Sequence, residues 1–171
     1  MTQPAVQHDV LRVGDIDRTD INQFLARFGL TAEWMADGTA ITASFWGDPE
    51  AGIVGHRVFI RVDTPVHSML HEVCHIICMS SERRKRLDRD AGGDDLEESA
   101  VCYLQIVLAE YLDGVGRQKL MLDMDAWGYS FRLGSTERWF MEDAGDAEAW
   151  LKAEGLLSST NEPQFRLRGE Q

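Results

Sequence analysis

Apolar residues recur at helical spacing at Ile21, Phe24, Leu25 and Phe28, which predicts a short helix over residues 18–29. Thr19 or Asp20 can cap it and Gly29 can end it. Two β-rich runs follow, residues 39–46 and 53–62; in the second, Val58, Ile60 and Val62 alternate with Phe59 and Arg61. The turn-rich stretch 47–52 between them predicts a hairpin. Thr64 and Pro65 then supply an N-cap and a first-turn residue for a helix running to about Arg86. Gly92-Gly93 breaks the pattern before a second long helix over residues 94–112, with Asp94 and Asp95 at its N-terminus and Gly114 beyond its end. Further on, residues 127–133 predict a strand and residues 135–143 and 146–154 short helices. The sequence of elements is that of an α+β protein with one domain over residues 1–155. Residues 156–171 read as a polar, poorly ordered tail.

Charge narrows the functional classes. The 171 residues carry a formal net charge of −12. An acidic surface repels nucleic acid and anionic membranes, so neither is an expected partner. No apolar stretch is long enough to span a bilayer. Residues 1–9 are polar and lack the basic-then-apolar pattern of a secretory signal, which predicts a cytoplasmic protein. Three cysteines make no disulfide framework and fit a reducing compartment.

The chemistry concentrates in His71-Glu72-Val73-Cys74-His75, an H-E-x-x-H pattern on a predicted helix. At about 100° per residue, positions i and i+4 lie about 40° apart and one turn along, so both imidazoles can reach one ion. Glu72 is rotated about 100° from His71, beside such an ion without joining both histidines as a ligand. A carboxylate there can deprotonate a water that the metal has acidified. Between Pro65 and Met79 the only formally charged residue is Glu72, which marks a helix buried nearly all round. A catalytic zinc site needs a third protein ligand. The position ten residues after His71 is Ser81, so the candidates are Glu97 and Glu98 on the next helix. Helical phase favours Glu97, which shares a stripe with Ala100, Val101, Leu104 and Leu108; Glu98 is turned toward Cys102 and Gln105.

This H-E-x-x-H helix, followed after some twenty residues by a glutamate-bearing helix, resembles the gluzincin metallopeptidases, and among them the short ImmA/IrrE type. The second helix of that family reads roughly Glu-x-x-Ala-x-x-Phe-Ala-x-x-Leu-Leu, matched here by Glu97, Ala100, Tyr103, Leu104, Val107 and Leu108. Cys74 stands where the family often has Gly, and Ala109-Glu110 where a Met-Pro usually follows. The resemblance implies a small zincin-like domain, zinc held by His71, His75 and Glu97, and Glu72 as base in peptide hydrolysis. A second, looser resemblance covers residues 71–87, with Cys78 and the basic Arg83-Arg84-Lys85-Arg86. It is to the bacterial hydroxylase that modifies the lysine of elongation factor P. It implies iron oxygen chemistry instead, which two histidines and a carboxylate also suit.

The expected activity is therefore zinc-dependent hydrolysis of a peptide or protein substrate, aligned by addition to the edge of the hairpin. The alternatives are an Fe2+-dependent hydroxylase and a non-catalytic metal-binding module. Several other residues carry smaller expectations. His67, one turn before His71, is a candidate outer partner or proton shuttle. Cys74 and Cys78 read as small buried hydrophobes or soft ligands. Tyr103, Tyr111 and Tyr129 are undifferentiated candidates for stabilising an oxyanion. Residues 83–89 read as a solvated basic helix end, and Trp127, Trp139 and Trp150 as core or interface aromatics.

Overall fold

The computed structural model describes residues 9–170; the polar leader, apart from Asp9, and Gln171 lie outside them. Among the described residues the fold is α+β, with seven α-helices and one small mixed sheet. The helices are α1 (Arg18–Ala26), α2 (Val66–Cys78), α3 (Ser81–Lys85), α4 (Asp95–Leu108), α5 (Arg117–Trp127), α6 (Thr136–Glu142) and α7 (Gly145–Ala153). The strands are β1 (Thr31–Trp34), β2 (Gly52–Val54) and β3 (Arg57–Ile60). β3 lies in the middle, parallel to β1 from Thr31↔Arg57 to Trp34↔Ile60 and antiparallel to β2 from Gly52↔Phe59 to Val54↔Arg57. α2 packs on β2 and β3 and against α4 and α5, and one continuous core joins these elements.

The hairpin forms inside the run read as one strand. Gly55 takes φ +58°, the left-handed conformation needed at the first central position of a two-residue type II′ loop. Residues 39–46 form turns instead of a strand, pairing with β2 through the isolated Ser44↔Gly52 bridge. Their backbone is held elsewhere: Arg61 Nη1 donates to the Thr39 carbonyl at 2.6 Å and Ile41 N–H donates to Asp48 Oδ1 at 2.9 Å. Gly52 lets this segment lie close, since a Cβ there would sit 2.7 Å from Ser44 N. β1 is only four residues long, with no fully buried side chain to give a pattern.

α2 stops at Cys78, short of the expected Arg86, and two arginines occupy its end. The last carbonyls of a helix have no partner within it. Arg84 donates from Nε to Ile76 O (3.0 Å) and from Nη2 to Met79 O (2.8 Å). Arg168 donates from its backbone N–H to Ile77 O (2.8 Å) and from Nη1 to Cys78 O (3.2 Å). Both cations also complement the negative end of the helix dipole. Thr64 does not cap α2; its hydroxyl accepts from Arg61 N–H at 2.9 Å.

Arg84 is therefore a buried structural group within the run expected to be solvated. The C-terminal segment is likewise built into the fold. Leu156, Leu157 and Leu167 are buried in the core, and Arg168 ties residue 168 to α2. Residues 117–126, which carried no assignment, form α5 together with Trp127, with Leu120, Met121, Met124 and Trp127 buried at helical spacing. The expected strand over 127–133 is absent. Gly128 at φ +107° ends α5, and Tyr129 N–H bonds Met124 O at 3.0 Å in a Schellman-type close.

Replacing Arg84 by Met keeps the aliphatic stem and removes the donors. Arg84→Met is expected to destabilise the protein by about 3 kcal/mol, because buried carbonyls lose charged partners. Urea unfolding with an unchanged midpoint would contradict this.

Candidate metal centre

α2 and α4 run antiparallel, since successive turns of α2 meet preceding turns of α4: His67 O accepts from Gln105, His71 meets Gln105 and Glu98, and His75 meets Glu98. The facing stripe on α4 is Glu98, Cys102 and Gln105, spaced i, i+4, i+7. Gln105 is fully buried. Its Nε2 donates to the His67 carbonyl at 3.1 Å, so its Oε1 must accept from His71 Nδ1–H at 2.8 Å. That places the Nδ1 proton and turns Nε2 of His71 toward the space between the helices.

Three donors converge there. His71 Nε2 and His75 Nε2 are 3.1 Å apart, and Glu98 brings Oε1 to 3.0 Å from the first and Oε2 to 3.3 Å from the second. Ligand bonds of about 2.0–2.2 Å around a tetrahedral ion put donor atoms about 3.4 Å from one another. The separations found are close to that edge, so the residues fit a metal ion. His75 Nδ1 is buried and has no hydrogen-bond partner among the described residues. Its only polar contacts therefore lie on the Nε2 side, toward the same point. Glu72 is the adjacent carboxyl, within 4.8 Å of the ligating atoms of His71 and His75.

Glu97 does not face the two histidines. It chelates Arg83, whose Nη1 lies 2.9 and 2.7 Å from its two oxygens, and Arg83 Nη2 goes on to the carbonyls of Ala91 and Gly92. Helical phase does not separate the two acids, because α4 is buried nearly all round from Ala100 to Leu108 and its apolar stripe does not mark the face toward α2. The polar stripe does. Gln105, alone in an apolar run and seven residues after Glu98, was the available signal.

Their surroundings shift the two histidines in opposite directions. Burial works against a charged His71, yet Tyr129, Cys102 and Glu98 together hold its pKa well above the ordinary imidazole value. Burial, helped by His71, pushes His75 down to about 3. For Glu98, burial works against the carboxylate, but the hydrogen bond from His71 and the two imidazoles hold its pKa low. Glu72 differs: burial raises it to about 7 despite His71 nearby. Burial raises Glu50 to about 7 as well.

A cavity of about 370 Å³ opens onto the cluster, lined among others by Trp46, Glu50, Glu72, Glu98, Cys102 and Tyr129. A second, of about 150 Å³, shares Trp46, His71, Glu72 and Glu98 with it. Of the three tyrosines, only Tyr129 reaches the cavity; Tyr103 stacks on Phe140 and Tyr111 meets Phe165. His67 packs its ring against Trp127 and Tyr129, with Nδ1 3.2 Å from the Tyr129 hydroxyl, and burial pushes its pKa down to about 3. Its backbone carbonyl supports the site by accepting from Gln105. Cys74 and Cys78 are fully buried in the core, as small hydrophobes are. Glu50 and Cys102 had no assigned role; Glu50 lies in the turn-rich linker, where periodicity is silent.

The sheet does not offer the expected edge. The outer side of β2 is already paired, with Gly55 N–H donating to Leu87 O at 3.3 Å and Arg89 N–H donating to Ile53 O at 3.0 Å. An extended chain cannot add there, and access to the cluster is through the cavity beside Trp46. No helix among the described residues is long and apolar enough to cross a membrane. No protein-family description, curated protein or solved structure matches the chain.

Glu98→Ala is expected to lower zinc affinity by roughly 10²-fold, whereas Glu97→Gln leaves it within about threefold and lowers the unfolding midpoint through loss of the Arg83 pair. Competition with a chromophoric chelator measures the first and urea unfolding the second. A larger affinity loss in Glu97→Gln would restore Glu97 as the ligand.

Proposed function

We propose that the protein is a zincin-like hydrolase that cleaves amide bonds of a peptide substrate, with zinc held by His71, His75 and Glu98. The observation that carries the reading is the convergence of two Nε2 atoms and one carboxylate within 3.0–3.3 Å of one another, beside a separate buried carboxyl, Glu72. A purely structural metal site would not need that extra acid on a cavity wall.

A bound zinc ion supplies Lewis acidity to the scissile carbonyl and to the attacking water. Glu72 accepts the proton of that water and returns it to the leaving amine. The Tyr129 hydroxyl, in the same cavity wall, donates toward the oxygen that gains charge. Gln105 keeps His71 in one tautomer and orientation throughout. Trp46 and Tyr129 give the cavity aromatic walls that limit water around the reacting groups. With the edge of β2 occupied, the substrate presents a single side chain or terminus to the cavity instead of lying along a strand.

A second reading has its own support: two histidines and one carboxylate are also the donor set of non-haem iron oxygenases. The Fe2+ form would then hydroxylate a protein side chain, and Glu72 would serve as a polar wall rather than as base.

Glu72→Gln keeps the shape and removes the base. It is expected to retain metal and fold while losing turnover of a peptide library by at least about 10²-fold. Equal cleavage by wild type and variant, each zinc-loaded and compared with chelator-treated protein, would remove Glu72 from the mechanism. Oxygen-dependent turnover by the iron form alone would move the assignment to the hydroxylase.

A further inference from the structure

The hydrolytic reading leaves one metal-binding group at the site without a task. Cys102 stands one turn beyond Glu98 on α4, on the stripe that faces α2, and lines the larger cavity. Its Sγ, an oxygen of Glu98 and a ring nitrogen of His71 lie within 4.8 Å of one another. The residue is 94% buried, being 6% exposed. The other two cysteines contrast with it. Cys74 and Cys78 are fully buried, and neither joins a cluster of metal-binding groups among the described residues.

Sequence geometry explains why the thiol is available. Residues i and i+4 of a helix point the same way, one turn apart, so any ion bound by Glu98 lies beside the next turn's side chain. The sulfur is grouped with His71 and Glu98, so it is placed beside an ion that those two residues hold. A catalytic zinc site with three protein ligands keeps its fourth corner for water. Here a soft sulfur ligand stands next to it.

We propose that Cys102 is the fourth protein ligand of the metal in the resting protein, closing an N2OS set with His71, His75 and Glu98. The inference rests on the metal reading above and extends it. A thiolate in the set favours zinc or iron over magnesium or calcium, which prefer oxygen donors. It also means that the substrate-free site has no open position. The fourth corner becomes available to water or substrate only when the sulfur leaves it, so Cys102→Ser opens the site without touching Glu72.

X-ray absorption of the zinc-loaded wild-type protein reads the ligand set without any variant. One sulfur scatterer at about 2.3 Å beside nitrogen and oxygen at about 2.0–2.1 Å is expected. The cobalt-substituted protein should show a thiolate-to-cobalt charge-transfer band in the near ultraviolet that Cys102→Ser lacks. Zinc bound by nitrogen and oxygen alone overturns the Cys102 assignment and leaves the three-ligand site standing. A charge-transfer band that persists in Cys102→Ser also overturns it, since another cysteine would then be the ligand. Failure of the wild type to retain zinc or cobalt overturns both this assignment and the metal reading beneath it.

Discussion

The Gln105 carboxamide is the contact on which the site depends. It is fully buried between α2 and α4, and its two ends are committed in opposite directions, to the His67 carbonyl and to His71 Nδ1. A buried amide left with an unsatisfied end costs about 1–3 kcal/mol, so the two helices are held in the one register that satisfies both. That register sets which residues of α4 face the histidines. It brings Glu98 and Cys102 to His71 and turns Glu97 toward Arg83. The same bond fixes the tautomer of His71. The contact thus couples the register of the two helices to the donor chemistry.

A second constraint is the concentration of charge around an almost uncharged helix. α2 carries one formal charge, Glu72, and its polar ends and side chains must be satisfied from outside. Arg84 and Arg168 take its terminal carbonyls, and Arg83 with Glu97 closes the segment between α3 and α4. Each of these arginines comes from a stretch that reads as solvated in sequence. The loop of residues 39–50 plays a similar part at the other side, where Arg61 holds Thr39 and Asp48 while Trp46 and Glu50 form part of the cavity wall. Irregular segments thus build the walls, and the two long helices supply the donors.

What the sequence revealed follows from where its signals are strong. His71 and His75 on one helix, a following acid-bearing helix and the α+β class all rest on long periodic segments or a fixed spacing, and the structure has them. The strand read over 39–46 was absent because its backbone partners are a side chain, Arg61, and a turn acid, Asp48, which no periodicity encodes. That Glu98 rather than Glu97 faces the histidines was illegible for a related reason. Phase identifies a buried face, but a helix buried on every side has several, and only a lone polar residue such as Gln105 marks the one that faces another polar group. The Gly128 close of α5, which places Tyr129 in the cavity wall, depends on one left-handed residue and was hidden by the apolar character of the residues after it.

The central claim is that one metal ion lies between α2 and α4, held by the Nε2 atoms of both histidines and by Glu98. Crystals of the protein loaded with a stoichiometric amount of zinc, measured on both sides of the zinc absorption edge, test it directly. The account predicts one anomalous peak per chain, about 2.0–2.2 Å from His71 Nε2, His75 Nε2 and a Glu98 oxygen. A peak at Glu97, a peak only on surface residues, or none at full zinc occupancy of the solution would contradict it.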